Sequence, residues 1–305
     1  EANYPLMNRA IAGQYPSGST IKALTTFAGL KYGICDGNSS WYCTGFWTGF
    51  GEQYGMHCWL LSGHGTVNLI TGITNSCDIV FYEIGKGFFY NNDHPEGMQE
   101  TFRAFGLGAL SGIDLPEEAS GRVPDAEWKW NYFTSSPDDA RKWQGGDNCN
   151  LAIGQGDLLV TCLQMANAYC GIANRGPIYK PHVLKSINAR NGNGSVIEYK
   201  NEVILSPEEK DEHRDIVARG LYGVVYEESA SQTIHWTNLD VTVNGKTGTA
   251  EQQSIGEPVG WFVGYAPADK PQYVVAANLD CAPSGAGSGM YIVRDVFGAI
   301  YNQPD

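Results

Sequence analysis

The chain is short of positive charge. Its 305 residues hold 20 Lys and Arg against 33 Asp and Glu, a net charge of −13. No long basic run offsets that deficit, which argues against nucleic acid or an anionic membrane surface as the main partner. Long apolar runs are lacking too: no stretch reaches the ~18 residues that a membrane-spanning helix needs. There is no internal repeat and no low-complexity tract. No Gly-x-Ser-x-Gly elbow occurs, and none of the six histidines sits in a recognisable catalytic motif, so a Ser-His-Asp hydrolase is disfavoured. The opening EANYPLMNRA carries no signal-peptide pattern and reads as a cut inside a longer protein.

What is present can build a sizeable core. Apolar residues make up 42% of the chain and aromatics 12%, so disorder is excluded. The expectation is a single domain, residues 1–305. Helical spacing predicts a helix from Ser19 to Gly33, with Ser19 at its N-terminus. Residues 34–66 read as an ordered loop region, and a helical pattern runs from Thr66 to Lys86. A short helix is expected over about 97–106. A further helix over 157–176 would have Asp157 as N-cap and Gly176 as its stop. Ser206 with Glu209 suggests a capping box for the next helix. The last third turns to strands, DVTVNGKTGTAEQQ, GWFVGYAPADK and PQYVVAANLD, which suggest an antiparallel meander before a final helix. The predicted class is α/β of the α+β kind: a helical lobe beside a helix-flanked antiparallel sheet.

Three short motifs carry the chemistry. In PSGSTIK, Ser19 and Lys22 lie three residues apart, on one helix face and about 5–6 Å apart at Cβ. A serine hydroxyl attacks only once a base removes its proton. A lysine can be that base when burial or a nearby positive group keeps it neutral. A solvated lysine on an ordinary helix is the plainer alternative. Ser76-Cys77-Asp78 offers a second hydroxyl able to relay a proton, or merely a helix cap. Lys246-Thr247-Gly248-Thr249 lies in a strand-like run. A lysine and hydroxyls beside a glycine that admits close backbone approach suit a carboxylate. Ideal alternation would point Lys246 and Gly248 away from Thr247 and Thr249. In this order, Ser-x-x-Lys, Ser-x-Asp and Lys-Thr-Gly form the set found in serine β-lactamases and penicillin-binding proteins.

Over nearly its whole length the chain resembles the transpeptidase domain of class B penicillin-binding proteins, of the elongation-type penicillin-binding protein 2 group. The resemblance rests on YPLMNRAIAGQYPSGSTIK, SGHGTVNLITGITNSCDIVFY, SGIDLPEE, AIGQGDLLVTCLQMANAY and NGKTGTAE followed by GWFVGYAP. Ser17 and Cys162 stand where proline is usual, and Cys170 where a small residue is usual. The resemblance implies a penicillin-binding-protein/β-lactamase-like fold and a D,D-transpeptidase that cross-links peptidoglycan during cell elongation. Ser19 would attack the penultimate D-Ala carbonyl of a stem peptide, Lys22 would act as base, and Ser76 would pass the proton to the leaving amine. Asp78 would orient Lys22 or the substrate. Lys246, Thr247 and Thr249 would hold the terminal carboxylate beside Gly248, and the N–H groups of Ser19 and Thr249 would form an oxyanion hole. β-Lactams would acylate Ser19. No cofactor is needed for this chemistry. The resemblance also implies an N-terminal membrane helix and pedestal beyond this chain, the outer face of the cytoplasmic membrane as location, and a glycosyltransferase of the elongation machinery as partner. A serine β-lactamase, a penicillin-sensing receptor domain and a D,D-carboxypeptidase remain alternatives.

Among the eight cysteines, three lie close in sequence with a histidine: Cys43, Cys58, His64 and Cys77. Three thiolates and an imidazole suit a closed tetrahedral structural zinc site, and some elongation-type relatives are expected to carry zinc in this segment. A Cys43–Cys58 disulfide or unconnected thiols are the other readings. Cys162 and Cys170 share one predicted helix and suggest core packing, while Cys35, Cys149 and Cys281 have no assigned role.

Overall fold

The computed structural model describes residues 4, 6–190, 194–228, 236–251, 258–280 and 286–302. Cys281 lies outside them. The helices are α1 (Arg9–Ala12), α2 (Lys22–Lys31), α3 (Leu69–Thr74), α4 (Asp78–Phe89), α5 (Gly97–Ala104), α6 (Ala126–Tyr132), α7 (Asp138–Arg141), α8 (Gly145–Ala152), α9 (Cys162–Ala173), α10 (Asp211–Tyr226) and α11 (Ala286–Tyr301). The strands are β1 (Ser40–Cys43), β2 (Phe46–Trp47), β3 (Met56–His57), β4 (Gly65–Asn68), β5 (Ile178–Tyr179), β6 (Ser186–Asn188), β7 (Ser195–Glu198), β8 (Val203–Leu205), β9 (Asn244–Ala250), β10 (Val259–Ala266) and β11 (Tyr273–Leu279).

The principal sheet is the antiparallel meander β9-β10-β11, with β10 in the middle. Its central strand is buried along its whole length, and its alternation divides two cores. Trp261, Val263 and Tyr265 belong to the large core of the helical lobe. Phe262 and Ala266 pack instead with Met290, Val293 and Phe297 of α11. Period-two alternation thus places helices on both faces of the sheet, as the sequence patterning predicts.

Helix α2 is buried around its circumference: every residue from Lys22 to Leu30 is covered, most of them apolar or small. A helix of that kind belongs at the centre of a lobe, and this burial carries Lys22 with it.

Several local expectations are corrected. Ser19 does not open the α-helix directly. It sits in a 3-10 turn, Gly18–Ile21, that feeds α2. The pattern from Thr66 to Lys86 is not one helix: β4 comes first, and Ser76 interrupts the rest with a left-handed backbone, φ 52°. Residues 34–66 contain paired strands, β1 with β4 and β2 with β3. Asp157 does not cap α9. The segment before α9 is extended, with Leu159 bridging Arg122 and Val160 bridging Tyr15. The cap is Thr161, in a reciprocal box with Gln164. Ser206 and Glu209 form no capping box, because α10 starts at Asp211 and the Glu209 carboxylate instead meets His213 at 3.2 Å. Cys162 and Cys170 share α9 as expected and are half-buried there, with Cys162 packed against the large core.

Candidate active site

The turn bearing Ser19 is fixed from several directions. Gly18 donates its N–H to the Gly154 carbonyl at 2.9 Å, and Trp261 Nε1 donates to the Pro16 carbonyl at 2.9 Å. Tyr169 donates its hydroxyl to the Thr20 carbonyl, also at 2.9 Å. Gly18 has φ +51°, and a Cβ built there would lie 2.6 Å from the Thr249 carbonyl oxygen. A Cβ on Gly248 would lie 2.9 Å from the Ser17 carbonyl oxygen. Two glycines, one on each segment, therefore let the Ser19 turn touch β9, which carries Lys246 to Thr249. Sequence positions some 230 residues apart become one surface.

Lys22, one turn along, points at the segment between α3 and α4. Its Nζ donates to Ser76 O at 2.8 Å, to Ser76 Oγ at 3.2 Å and to Asp78 Oδ1 at 2.7 Å. Ser19 Oγ makes no hydrogen bond with Lys22 among the described residues. The left-handed backbone of Ser76 turns its carbonyl and hydroxyl together toward Lys22, and such strain concentrates at functional sites. Asp78 is the first residue of α4, and its second oxygen accepts the N–H of Trp59 at 2.9 Å.

Lys246 reaches Ser76 from the other side. Its Nζ donates to Ser76 Oγ at 3.0 Å and to Thr247 O and Oγ1 at 3.1 and 3.3 Å. Strand alternation is kept at the backbone: Lys246 and Gly248 are buried, Thr247 is half-buried and Thr249 is exposed. The long lysine stem bends round so that its ammonium still meets the threonine side. Lys246 is fully buried. Burial pushes its pKa well below the usual lysine value, and the charge of Lys22 adds to that, while Glu228 and Asp78 oppose it.

These groups lie along one cleft of about 890 Å³, whose lining includes Ser19, Ser76, Asp78, Thr247, Gly248 and Thr249. All eight catalytic and carboxylate-binding residues predicted from sequence therefore converge here, with the two lysines in the floor. Sequence reasoning missed Trp59 and Leu61 on one wall, Met290 and Tyr291 on another, and Glu228 and Gln155. Gln155 lies in the Ile-Gly-Gln-Gly run, and its amide donates to the Thr249 carbonyl at 3.4 Å. The others carry no motif. Folding alone brings them to the cleft.

The four predicted metal ligands also come together. Ligand atoms of Cys43, Cys58, His64 and Cys77 all lie within 4.8 Å of one another. His64 Nδ1 faces Cys43 Sγ at 3.5 Å and Cys58 Sγ at 3.6 Å. The seven described cysteines are all free thiols, so no Cys43–Cys58 disulfide is formed. A hydrogen bond from Cys77 pulls the Cys58 thiol down to about 5, and the same bond pushes the Cys77 thiol up. That direction favours the thiolate form that a metal ligand needs. The cluster abuts the cleft: Cys77 separates Ser76 from Asp78, and Cys58 precedes Trp59.

Comparison with known proteins agrees with this geometry. Residues 1–301 match the family described as "Penicillin binding protein transpeptidase domain". The chain is 32% identical over 317 residues to the peptidoglycan D,D-transpeptidase MrdA of Acinetobacter baumannii, covering 96% of this chain and 43% of that protein. It is 28% identical to the MrdA protein of Escherichia coli strain K12, covering 95% of this chain and 46% of that one. The chain thus spans just under half the length of these curated relatives. Among solved structures, penicillin-binding protein 2 of Pseudomonas aeruginosa superposes with TM-score 0.82 at 27% identity, over 98% of this chain and 64% of that one. A structure of a peptidoglycan synthase complex superposes with TM-score 0.81 at 27% identity, over 100% of this chain and 49% of that one.

Proposed function

The chain belongs to the penicillin-binding protein transpeptidase family, and from that premise we propose that it is the catalytic domain of an elongation-type peptidoglycan D,D-transpeptidase. The observation that carries the reading is the meeting of Lys22 and Lys246 on Ser76 Oγ at the floor of the cleft that Ser19 lines. A β-lactamase or a receptor domain gains no support from the relatives, which are named transpeptidases.

The substrate is a stem peptide ending in D-Ala-D-Ala. Its terminal carboxylate is held by Lys246, Thr247 and Thr249, with Gly248 leaving the strand backbone open to it. Ser19 Oγ attacks the penultimate carbonyl and gives its proton to Lys22. The N–H groups of Ser19 and Thr249 receive the developing oxyanion. The C–N bond to the terminal D-Ala breaks, and Ser76 delivers a proton to the departing amine. The amine of a neighbouring stem then attacks the acyl-enzyme and frees Ser19. A β-lactam meets the same residues: its ring amide opens onto Ser19, and the fragment that would leave stays attached.

Cys43, Cys58, His64 and Cys77 form a donor set suited to a structural zinc ion: three sulfurs and one imidazole nitrogen, mutually close, with all three cysteines buried. Zinc there would close the segment from β1 to α4 and supply no step of the reaction. Among the described residues no helix is long and apolar enough to cross a membrane. We place the domain at the outer face of the cytoplasmic membrane, anchored through a segment N-terminal to this chain, and working with the glycosyltransferase of the elongation machinery. A solved relative, penicillin-binding protein 2 of Helicobacter pylori, is seen in complex with MreC, which favours an assembly of that kind.

The test is penicillin labelling followed by intact-mass measurement. Wild-type protein should gain one β-lactam, mapped to Ser19. Ser19→Ala should gain none while keeping its circular-dichroism spectrum. A labelled Ser19→Ala protein would remove Ser19 from the mechanism, and rapid loss of the wild-type adduct would point to a β-lactamase.

A further inference from the structure

An aromatic stack on α6 has no part in the cleft. In AEWKWNYF, Trp128 and Tyr132 stand one helical turn apart and share a face. Their rings stack, with 4.8 Å between centroids and 26° between planes. Phe133 meets both edge-on, at 5.9 Å from Trp128 and 5.0 Å from Tyr132. The Arg122 guanidinium lies 4.4 Å from the Trp128 centroid and 5.6 Å from that of Tyr132, so a cation–π contact holds both rings. The helix is braced as well. Asp125 accepts the Trp128 N–H at 2.7 Å, and Lys129 pairs with Asp147 at 2.5 Å. Packing accounts for Trp128 and Phe133, which are half-buried. It does not account for Tyr132, which ends the stack 60% exposed and whose hydroxyl makes no hydrogen bond among the described residues. A rigid tyrosine of this kind offers an apolar face and a polar tip to a partner at little cost in side-chain entropy.

The stack is continuous with the cleft. Arg122 Nε donates to the Asp157 carbonyl at 2.7 Å, two residues beyond Gln155 of the cleft wall. Gly154, on the other side of Gln155, receives the N–H of Gly18 beside the nucleophile. The short run 154–157 thus joins the Ser19 turn to the base of the stack. A stem peptide held in the cleft hangs from a sugar strand. Its extended residues span only ~3.3–3.6 Å each, so the strand must pass close to the mouth of the cleft. We propose that Tyr132, backed by Trp128 and Arg122, stacks against a sugar ring of that glycan strand. β-1,4-Linked amino sugars have the matching chemistry. Each pyranose has a face of C–H groups that packs on an aromatic face, and a rim of hydroxyl and acetamido groups within the repertoire of the tyrosine hydroxyl. The stack holds the strand while its stem reaches Ser19, and no bond is made or broken there. The inference rests on the reading of this chain as a peptidoglycan transpeptidase domain.

The probe is the β-1,4-linked hexamer of N-acetylglucosamine. It is titrated by ligand-observed NMR against protein already acylated with benzylpenicillin, so that the Ser19 cleft is filled. Wild-type protein should bind it. Tyr132→Leu keeps an apolar side chain but loses the flat ring, and should weaken binding about 10-fold. Tyr132→Trp restores a flat ring and should stay within about threefold of wild type. Melting temperatures check that both variants fold. No binding by the acylated wild type, or equal binding by Tyr132→Leu, overturns the proposal. Binding seen only before acylation also overturns it, because the sugar then sits in the cleft. So does a dimer that Tyr132→Leu converts to monomers in sedimentation, because the ring then faces a second copy. Protein that forms no Ser19 adduct with benzylpenicillin fails the transpeptidase reading, and the glycan contact with it. Acylated protein that ignores the hexamer fails the glycan contact alone.

Discussion

Asp78 holds Lys22 with one carboxylate oxygen at 2.7 Å and the backbone N–H of Trp59 with the other at 2.9 Å. One side chain thus ties the helix that follows the nucleophile to the loop that carries the cysteine cluster. The pair is buried, with the Lys22 side chain fully covered and that of Asp78 12% exposed. Removing one partner strands the other's charge. Asp78→Ala should therefore cost about 3–5 kcal/mol of stability and slow penicillin acylation by about 100-fold. Denaturant unfolding and mass-detected acylation check both. A stability loss under about 1 kcal/mol would mean that the pair is as dispensable as an exposed one.

Gly18 should be irreplaceable for a geometric reason. Its φ of +51° is a conformation that side chains rarely adopt, and a Cβ would lie 2.6 Å from the Thr249 carbonyl oxygen and 3.1 Å from the Thr249 nitrogen. Gly18→Ala must either strain the turn or push β9 away from Ser19. The expected stability loss is about 1–3 kcal/mol. Acylation should fall further than unfolding explains, because Ser19 and Thr249 separate. Measuring acylation at a temperature where the variant is fully folded isolates that second effect. Unchanged acylation there would show that the contact does not set the site.

Much of this site is legible in the sequence because its chemistry lies in short, ordered motifs. Ser19 and Lys22 are adjacent on one element, and Cys43, Cys58, His64 and Cys77 are rare residue types within one span. What the sequence conceals comes from the backbone and from long side chains. Nothing in TNSCD announces that Ser76 is left-handed, yet that conformation splits the expected helix and aims the hydroxyl. Strand alternation places Lys246 opposite Thr247, and the four-carbon stem then brings its Nζ to 3.3 Å from Thr247 Oγ1. Trp59 acts through its backbone N–H, which no residue pattern reports. Thr161 with Gln164 was itself a readable capping box. Asp157 is the nearer capping residue to the start of the apolar run, but the backbone there is extended.

Metal content tests the cysteine cluster directly. Protein purified without chelator should carry about one zinc per chain, and chelation should lower its melting temperature, because binding energy at a structural site is folding energy. Cys77→Ser should lose the metal. Since Cys77 joins Ser76 to Asp78, this variant should also slow Ser19 acylation. Less than about a tenth of an equivalent of zinc in the wild-type protein would remove the metal from the account.

Lys246→Met should separate activity from stability, and pH should reveal why. The folded protein holds Lys246 below its ordinary value of 10.5, whereas the unfolded chain protonates it at that value. Below 10.5 the unfolded state therefore binds more protons at this position than the folded state. Stability conferred by this group falls as pH drops from 10.5 toward the folded value, and is level beyond either limit. Methionine fills a similar volume and carries no such penalty. Lys246→Met should accordingly be more stable than wild type at pH 7, and its advantage should shrink as pH rises toward 10.5. Carboxylate binding and penicillin acylation should be lost throughout. Denaturant midpoints of both proteins at pH 7 and pH 10 make the comparison, and an advantage that stayed constant or grew with pH would contradict a depressed Lys246.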